Sequence, residues 1–354
     1  MTAGLALLAL AVAAAPVFAQ TVSGRLRSAD DGQQLAGAIV LLLDAGGREI
    51  GRTISSGSGG FSLAGAPGTG FRLRVLRIGF NAWMSEPFSL EAGERKDFAL
   101  RLEEHQIVLP DVTVVASRCR VRPGESDIIG QLLNEAEKAL ALTDLTIRKR
   151  TLLFRTSSSV TRPTHNGGTV VYQDSSVGLA SWPITSAPPE SLAVWGFVHI
   201  PDTSSSIELL HPEMGPVYFG PDARVLFADW FLSSHCFSVT AADSRIISIG
   251  FEPEAAGSRV DLRGTLEIER RTMQLDRIEF HYTGLPAWVP ENQAGGEMSF
   301  RRLENGAWLV TEWRLRAPVP LVRGRRDTTL FGFAESRGRV TGVVNRADGS
   351  RVGS

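Results

Sequence analysis

The chain has 354 residues, of which 43% are hydrophobic and 21% charged, and its formal net charge is −1 at pH 7. This composition is typical of a folded globular protein and excludes disordered and fibrous chains. The near-neutral charge gives no bias toward nucleic acid or an anionic membrane. The length suffices for two ordinary domains or one large one, and the 36 glycines and 18 prolines favour short strands joined by turns.

Residues 1–19 differ from the rest of the chain. An apolar run from Leu5 to Val17 ends in Val17-Phe18-Ala19 before Gln20, with small residues where a signal peptidase cleaves. The run is too short for a comfortable membrane span. We therefore expect a signal peptide and a mature chain in the periplasm or at the outer membrane or cell surface, without a helical span. An uncleaved anchor helix remains the alternative, because no Lys or Arg precedes the run.

The segment 20–102 predicts a small β-sandwich. Short runs of strand-like alternation are separated by turn sequences rich in Gly, Asp and Ser. In Phe71-Arg72-Leu73-Arg74-Val75, for example, the apolar side chains share one face and the arginines the other. Strands at this spacing are typical of a sandwich.

Four motifs in this segment resemble the carboxypeptidase regulatory-like domain family. They are Val22-Ser23-Gly24-Arg25, Leu35-Ala36-Gly37-Ala38-Ile39-Val40, Gly59-Gly60-Phe61-Ser62-Leu63 and Arg77-Ile78-Gly79-Phe80. The resemblance implies a seven-stranded transthyretin-like sandwich that serves as a folding or binding accessory in bacterial cell-envelope proteins. It implies neither a zinc site nor a nucleophile. The usual Asp-rich loop before Gly-x-Phe is here Ser56-Gly57-Ser58-Gly59, so no carboxylate role carries over.

Residues 103–143 are predicted to be a linker followed by one amphipathic helix. From Ser126 to Leu142, apolar residues recur at helical spacing. A short amphipathic helix of this kind is expected to pack on a sheet.

Residues 144–343 predict an antiparallel β domain, followed by a flexible tail at 344–354. Asp261 to Glu269 and Leu275 to Tyr282 alternate as a hairpin, and Asn305-Gly306 joins a second pair of strands. The first hairpin resembles strands of periplasmic lipoprotein carriers, which implies a curved sheet or half-barrel around an apolar groove. The candidate groove residues are five aromatics: Trp230, Phe280, Tyr282, Trp308 and Trp313. The alternative is that they are ordinary core residues.

The chain has two cysteines, Cys119 and Cys236. Export makes a disulfide between them chemically accessible, and two buried thiols are the alternative. Two cysteines cannot form a zinc site alone, and the histidines near them lack ligand spacing.

No catalytic or cofactor motif stands out in the sequence. It contains neither His-Glu-x-x-His nor Gly-x-Ser-x-Gly. We therefore expect a mainly β, exported, non-catalytic binding or interaction protein of the cell envelope, without cofactor, metal or nucleic-acid partner. Its partner would be an envelope protein or an apolar or peptidic ligand. Three alternatives remain: a small outer-membrane barrel related to receptor proteins, a carbohydrate-binding module and an unrecognised hydrolase.

Overall fold

A computed structural model of the chain describes residues 20–105, 125–199, 216–255, 257, 259–324 and 327–353. The N-terminal unit contains eight strands, one more than expected. They are β1 (Gln20–Ser28), β2 (Ile39–Leu43), β3 (Glu49–Ile54), β4 (Gly60–Gly65), β5 (Gly68–Leu76), β6 (Trp83–Met84), β7 (Phe88–Leu90) and β8 (Arg95–Leu102).

The eight strands form two facing sheets, as the sandwich prediction requires. One sheet has the order β4-β1-β8, in which β1 and β8 are parallel, and the other has the order β3-β2-β5-β6 with β7 beside β5. Alternate residues such as Phe71, Leu73 and Val75 are buried between the sheets, while Arg72 is exposed. The twofold side-chain period of a strand explains this partition.

The predicted helix is α1 (Glu125–Lys149), and it is longer than the sequence pattern indicated. Its apolar stripe continues past Leu142 through Leu145. The Thr143 and Thr146 hydroxyls are buried, and each donates a hydrogen bond to the carbonyl four residues earlier in the helix. These local hydrogen bonds satisfy both hydroxyls within the helix. The helix therefore continues past Leu142, where the sequence pattern predicted its end.

The remaining elements build the C-terminal unit. The strands are β9 (Leu152–Pro163), β10 (Thr169–Leu179), β11 (Val198–His199), β12 (Val217–Tyr218), β13 (His235–Ala242), β14 (Ile246–Pro253), β15 (Asp261–Glu269), β16 (Gln274–Thr283), β17 (Gly295–Arg302), β18 (Trp308–Gly324) and β19 (Asp327–Asn345). The short helices are α2 (Pro189–Trp195), α3 (Ala223–Leu226) and α4 (Asp229–Ser234).

Nine of these strands form one antiparallel sheet with the order β10-β9-β19-β18-β17-β16-β15-β14-β13. Both predicted hairpins are present, as β15 with β16 and β17 with β18. Helix α1 packs on one face of the sheet, where Leu132, Ala136 and Leu140 join Ile278 and Met298 in a single core. The sheet is not closed into a barrel, since its edge strands β10 and β13 do not pair with each other in the part of the chain that the structure describes.

The segment predicted as a flexible tail is folded back onto the sheet. After β19 the chain turns, and Val352 donates a backbone hydrogen bond to Val343 while Glu304 donates one to Gly353. Val352 also packs on a small apolar cluster with Leu303 and Leu309. Burial of this apolar side chain and pairing of the backbone explain why the segment is not a free tail.

Among the described helices, none combines the length and the apolar character needed to cross a membrane.

Candidate functional site

The predicted groove aromatics lie mostly in the core. Phe280 is 0% exposed and Tyr282 5% exposed, and the Tyr282 hydroxyl donates a hydrogen bond to the Phe219 carbonyl at 2.9 Å. Helix α1 covers the sheet face on which an open groove was expected, so these two side chains do not line one. Trp230 is partly buried against the same core.

Two of the predicted aromatics do line cavities. Trp313 borders a small cavity of about 240 Å³ together with Phe154, Trp182 and Val310. Trp308 is 1% exposed and borders a larger cleft between the two units of the chain.

The structure describes only one of the two cysteines. Cys236 lies on β13, is half-buried and is not a free thiol. Cys119 lies outside the described residues, so its pairing with Cys236 stays a prediction. The neighbouring His235 is buried, and its ring stacks on Phe231 with 3.7 Å between centroids. Its Nδ1 lies near the Phe231 carbonyl and its Nε2 near the Leu262 carbonyl, and Nε2 also lies 3.2 Å from the Asp261 carboxylate.

Within the described ranges, no three or more His, Cys, Asp or Glu side chains lie close enough to hold a metal ion.

A cavity of about 760 Å³ is an open polar groove on the nine-stranded sheet. Its central charges compensate one another. Glu297 accepts from Arg314 at 2.9 Å and also pairs with Arg277. Serines of β9 and Gln173 and Ser175 of β10 form its outer wall. Because its charges are paired, the groove is polar without a strong preference for anions or cations.

Strand β10 forms one wall of this groove and one edge of the sheet. In the described part of the chain it pairs only with β9, over eleven residues and without a register shift. All of its residues except the last are exposed, and Val171 and Tyr172 are 54% and 62% exposed. A backbone edge this long is open to hydrogen bonding with another chain.

The second cavity, about 550 Å³, lies where the sandwich meets the sheet. Two loops of the sandwich form one side of this interdomain cleft. Gly37 in one loop touches Gly306 in the β17–β18 turn, and a Cβ added to Gly37 would lie 2.6 Å from the Gly306 carbonyl oxygen. Helix α1 holds the other loop. The Glu135 carboxylate accepts from the Gly79 N–H at 2.8 Å, and the Lys138 ammonium donates to the Phe80 carbonyl at 3.1 Å.

Glu135 and Lys138 also form an ion pair of 2.6 Å, with side-chain exposures of 2% and 6%. A buried pair of this kind is tolerated when additional hydrogen bonds satisfy both groups. Here those bonds go to the sandwich loop at residues 77–80, so the helix and the sandwich are joined by a buried polar network.

Comparison with known families identifies the sandwich. Residues 21–103 match the model of the carboxypeptidase regulatory-like domain. The sandwich is a carboxypeptidase regulatory-like domain. This confirms the resemblance carried by its four motifs, and two of those motifs, Leu35 to Val40 and Arg77 to Phe80, contain the loops that border the interdomain cleft.

Comparison with solved structures gives only distant similarities. The Bacillus anthracis TIE protein matches at 10% identity and a TM-score of 0.22, over 44% of this chain and 24% of its own. The minor pilin GBS52 of Streptococcus agalactiae matches at 13% and 0.20, over 27% and 48%. A DUF1329 family protein from Desulfovibrio piger matches at 8% and 0.24, over 59% and 94%. Scores this low carry no inference about this chain. No curated protein matches it.

Two arginines that no sequence pattern singles out are brought together in the cleft by the carboxypeptidase regulatory-like domain and the sheet. Arg77 belongs to the fourth motif, and Arg302 stands at the end of β17. A single arginine beside an apolar strand is ordinary in a sequence. Their proximity could be predicted only if the contact between the Asn305-Gly306 turn and the Gly37 loop were already known.

Proposed function

We propose that this chain is an exported, non-catalytic interaction protein of the bacterial cell envelope, and that it binds an extended segment of a partner protein along β10. The open edge of β10 carries this proposal. The match of residues 21–103 to a regulatory-like domain agrees with a binding role. The signal-like segment at 1–19 supports export.

Two other edge strands of the described sheets, β13 and β8, carry features that prevent pairing with foreign strands, and β10 does not. Strand β13 has a bulge between Val239 and Ala241, and helix α4 precedes it directly. Strand β8 bears Arg95, Lys96 and Arg101. Bulges and charged side chains are the usual means of blocking an edge. Strand β10 has no bulge, and Asp174 is its single charged residue.

The length and chemistry of β10 suit a peptidic partner. Eleven residues span roughly 36 Å, enough for a main-chain ladder of the kind by which extended peptides add to sheets. Exposed Val171 and Tyr172 offer apolar contacts on opposite faces of the added strand. The polar groove beside Gln173 and Ser175 offers hydrogen bonds to its side chains.

Photocrosslinking in the native host tests the proposal. The residue p-benzoylphenylalanine replaces Tyr172 in the full chain, and in a control it replaces Val194, an exposed residue of α2. We expect a discrete crosslinked protein from position 172 only, and we expect Val171→Lys in the same chain to abolish it. In the purified complex, the β10 amides should exchange more slowly with solvent than in the free chain.

Two results would contradict the proposal. One is equal crosslinking from positions 172 and 194, and the other is unchanged amide exchange of β10 in the complex. Export is tested separately by cell fractionation and by mass spectrometry of the mature N-terminus, which should begin at Gln20.

A further inference from the structure

The interdomain cleft has the chemistry of an anion site. We propose that it binds a phosphate group carried by a small molecule or a lipid headgroup, through Arg77 and Arg302. This inference is independent of the β10 edge, which lies on the nine-stranded sheet away from the sandwich loops.

Two guanidinium groups meet at one carbonyl oxygen in the cleft. Arg302 donates to the Ala36 carbonyl at 2.9 Å, and the Arg77 Nε–H donates to the same oxygen at 3.3 Å. Within the described part of the chain, neither arginine has a carboxylate ion-pair partner. Each guanidinium carries five N–H donors in a planar fork, so most of their donors remain free to bind a ligand.

The proximity of these two cations has an electrostatic cost. Burial, together with the positive charge of Arg302, lowers the pKa of Arg77 to about 10. Burial lowers the pKa of Arg302 as well. Like charges in a partly desolvated site repel each other strongly. A bound dianion would compensate both charges, in the same way that arginine forks bind phosphate elsewhere.

Trp308 lies in the lining of the cleft together with the two arginines. Its side chain is 1% exposed. Its indole N–H resonance therefore reports on changes beside Arg77 and Arg302 without contacting the ligand itself.

The remaining charges that face the cleft leave it positive. The lining contains four arginines and two carboxylates: Arg77, Arg270, Arg271, Arg302, Asp31 and Glu104. The nearby Lys138 and Glu135 neutralise each other. The local excess of positive charge favours an anionic ligand.

The number of donor groups favours phosphate over carboxylate. Two guanidinium forks present several N–H donors, and a phosphate group offers them three strong acceptor oxygens whereas a carboxylate offers two. The cleft volume of about 550 Å³ exceeds that of the anion alone, so the phosphate would belong to a larger molecule. The Phe80 ring, which lies 4.3 Å from the Arg77 guanidinium carbon, adds an apolar contact surface.

Nuclear magnetic resonance of the indole N–H groups tests this site directly. The mature chain, labelled with ¹⁵N, is titrated with inorganic phosphate at constant ionic strength, and Trp308→Phe identifies the Trp308 resonance. We expect a saturable shift of that resonance. Arg302→Gln or Arg77→Gln should weaken the apparent affinity about tenfold or more, because each removes charge-assisted hydrogen bonds.

Arg301→Gln is the matched control, since Arg301 is the exposed neighbour of Arg302 on the same strand. It should leave the affinity within about twofold. The proposal is overturned if wild-type protein shows no saturable shift, or if Arg301→Gln weakens binding as much as Arg302→Gln. Acetate that binds as tightly as phosphate would overturn the assignment to phosphate.

The source of the phosphate is resolved by a second probe. If the ligand is a lipid headgroup, the chain should sediment with phosphatidic acid vesicles, and Arg302→Gln should release it. If the ligand is soluble, inorganic phosphate should still shift the Trp308 resonance of the wild-type chain. In that case neither the wild-type chain nor Arg302→Gln should sediment with the vesicles.

Discussion

The backbones of Gly37 and Gly306 touch where the sandwich meets the nine-stranded sheet. Both residues have positive φ angles, +74° and +84°. A Cβ on either one would overlap the other's backbone. Each position therefore requires glycine twice over, for its backbone conformation and for the close approach of its neighbour.

We expect Gly306→Ala to loosen this contact. Gly47→Ala is the matched control, since Gly47 has φ +80° but nothing lies within 4 Å of the added methyl group. The control should lose about 1–2 kcal/mol of unfolding free energy, the cost of the left-handed conformation. Gly306→Ala should lose about 1–3 kcal/mol more because of overpacking. Urea unfolding measures both, and equal losses would mean that the glycine contact contributes nothing to docking.

The buried ion pair between Glu135 and Lys138 should be far more costly to break than an exposed pair on the same helix. Lys138→Met leaves a buried carboxylate without its cation, so we expect a loss of about 3 kcal/mol in unfolding free energy. Asp144 and Arg148 pair at 2.7 Å in a more exposed position, so Arg148→Met should cost under about 1 kcal/mol. Similar losses from both variants would refute a stabilising role for the buried network.

The two buried tyrosines should make the protein sensitive to alkali. Burial raises the pKa of Tyr218 to about 12 and raises that of Tyr282 well above 10. An unfolded tyrosine releases its proton near pH 10, before the folded one does. The stabilising contribution is therefore complete below pH 10 and declines as the pH rises toward 12, by up to about 1.4 kcal/mol per pH unit for each residue.

Tyr282→Phe should reduce this slope, because phenylalanine does not titrate. The third tyrosine of the chain, Tyr172, is exposed, so Tyr172→Phe should leave the slope unchanged. Unfolding free energies measured between pH 8 and pH 11 compare the three proteins. Parallel curves for wild type and Tyr282→Phe would contradict the expectation.

The Trp313 ring lies directly over Gly338 on the neighbouring strand. A Cβ at Gly338 would overlap the ring, so Gly338→Ala should displace the ring and cost about 1–3 kcal/mol. Gly342→Ala, on the same strand with its nearest neighbour 3.9 Å away, should change stability by at most about 0.5 kcal/mol. Thermal unfolding compares the two, and a neutral Gly338→Ala would contradict the packing argument.

Local patterns were the part of this structure that sequence could predict. The alternation in Phe71 to Val75 gave a strand of the sandwich, and Asn305-Gly306 gave a hairpin turn, because both signals depend on neighbouring residues alone. The aromatic residues were harder to interpret. The alternation of apolar and polar residues around Phe280 is the same whether that face of the sheet is open or covered. Only the position of α1 decides whether the face forms a groove or a core.

The cleft could not be predicted for a related reason. Arg77 and Arg302 belong to different units, and they meet only because the Gly37 loop docks on the Gly306 turn. A site built across an interface leaves no pattern within either segment.

The position of β19 has a consequence for how the protein folds. This strand, the last in the chain, lies between β9 and β18 and pairs with both. Until it is in place, β10 and β9 can form only a separate hairpin, and the strands from β13 to β18 have an unsatisfied edge. We expect the two parts of the sheet to join late, after the whole C-terminal unit is available. A chain shortened before Asp327 would expose two pairing edges at once, which makes aggregation its expected fate.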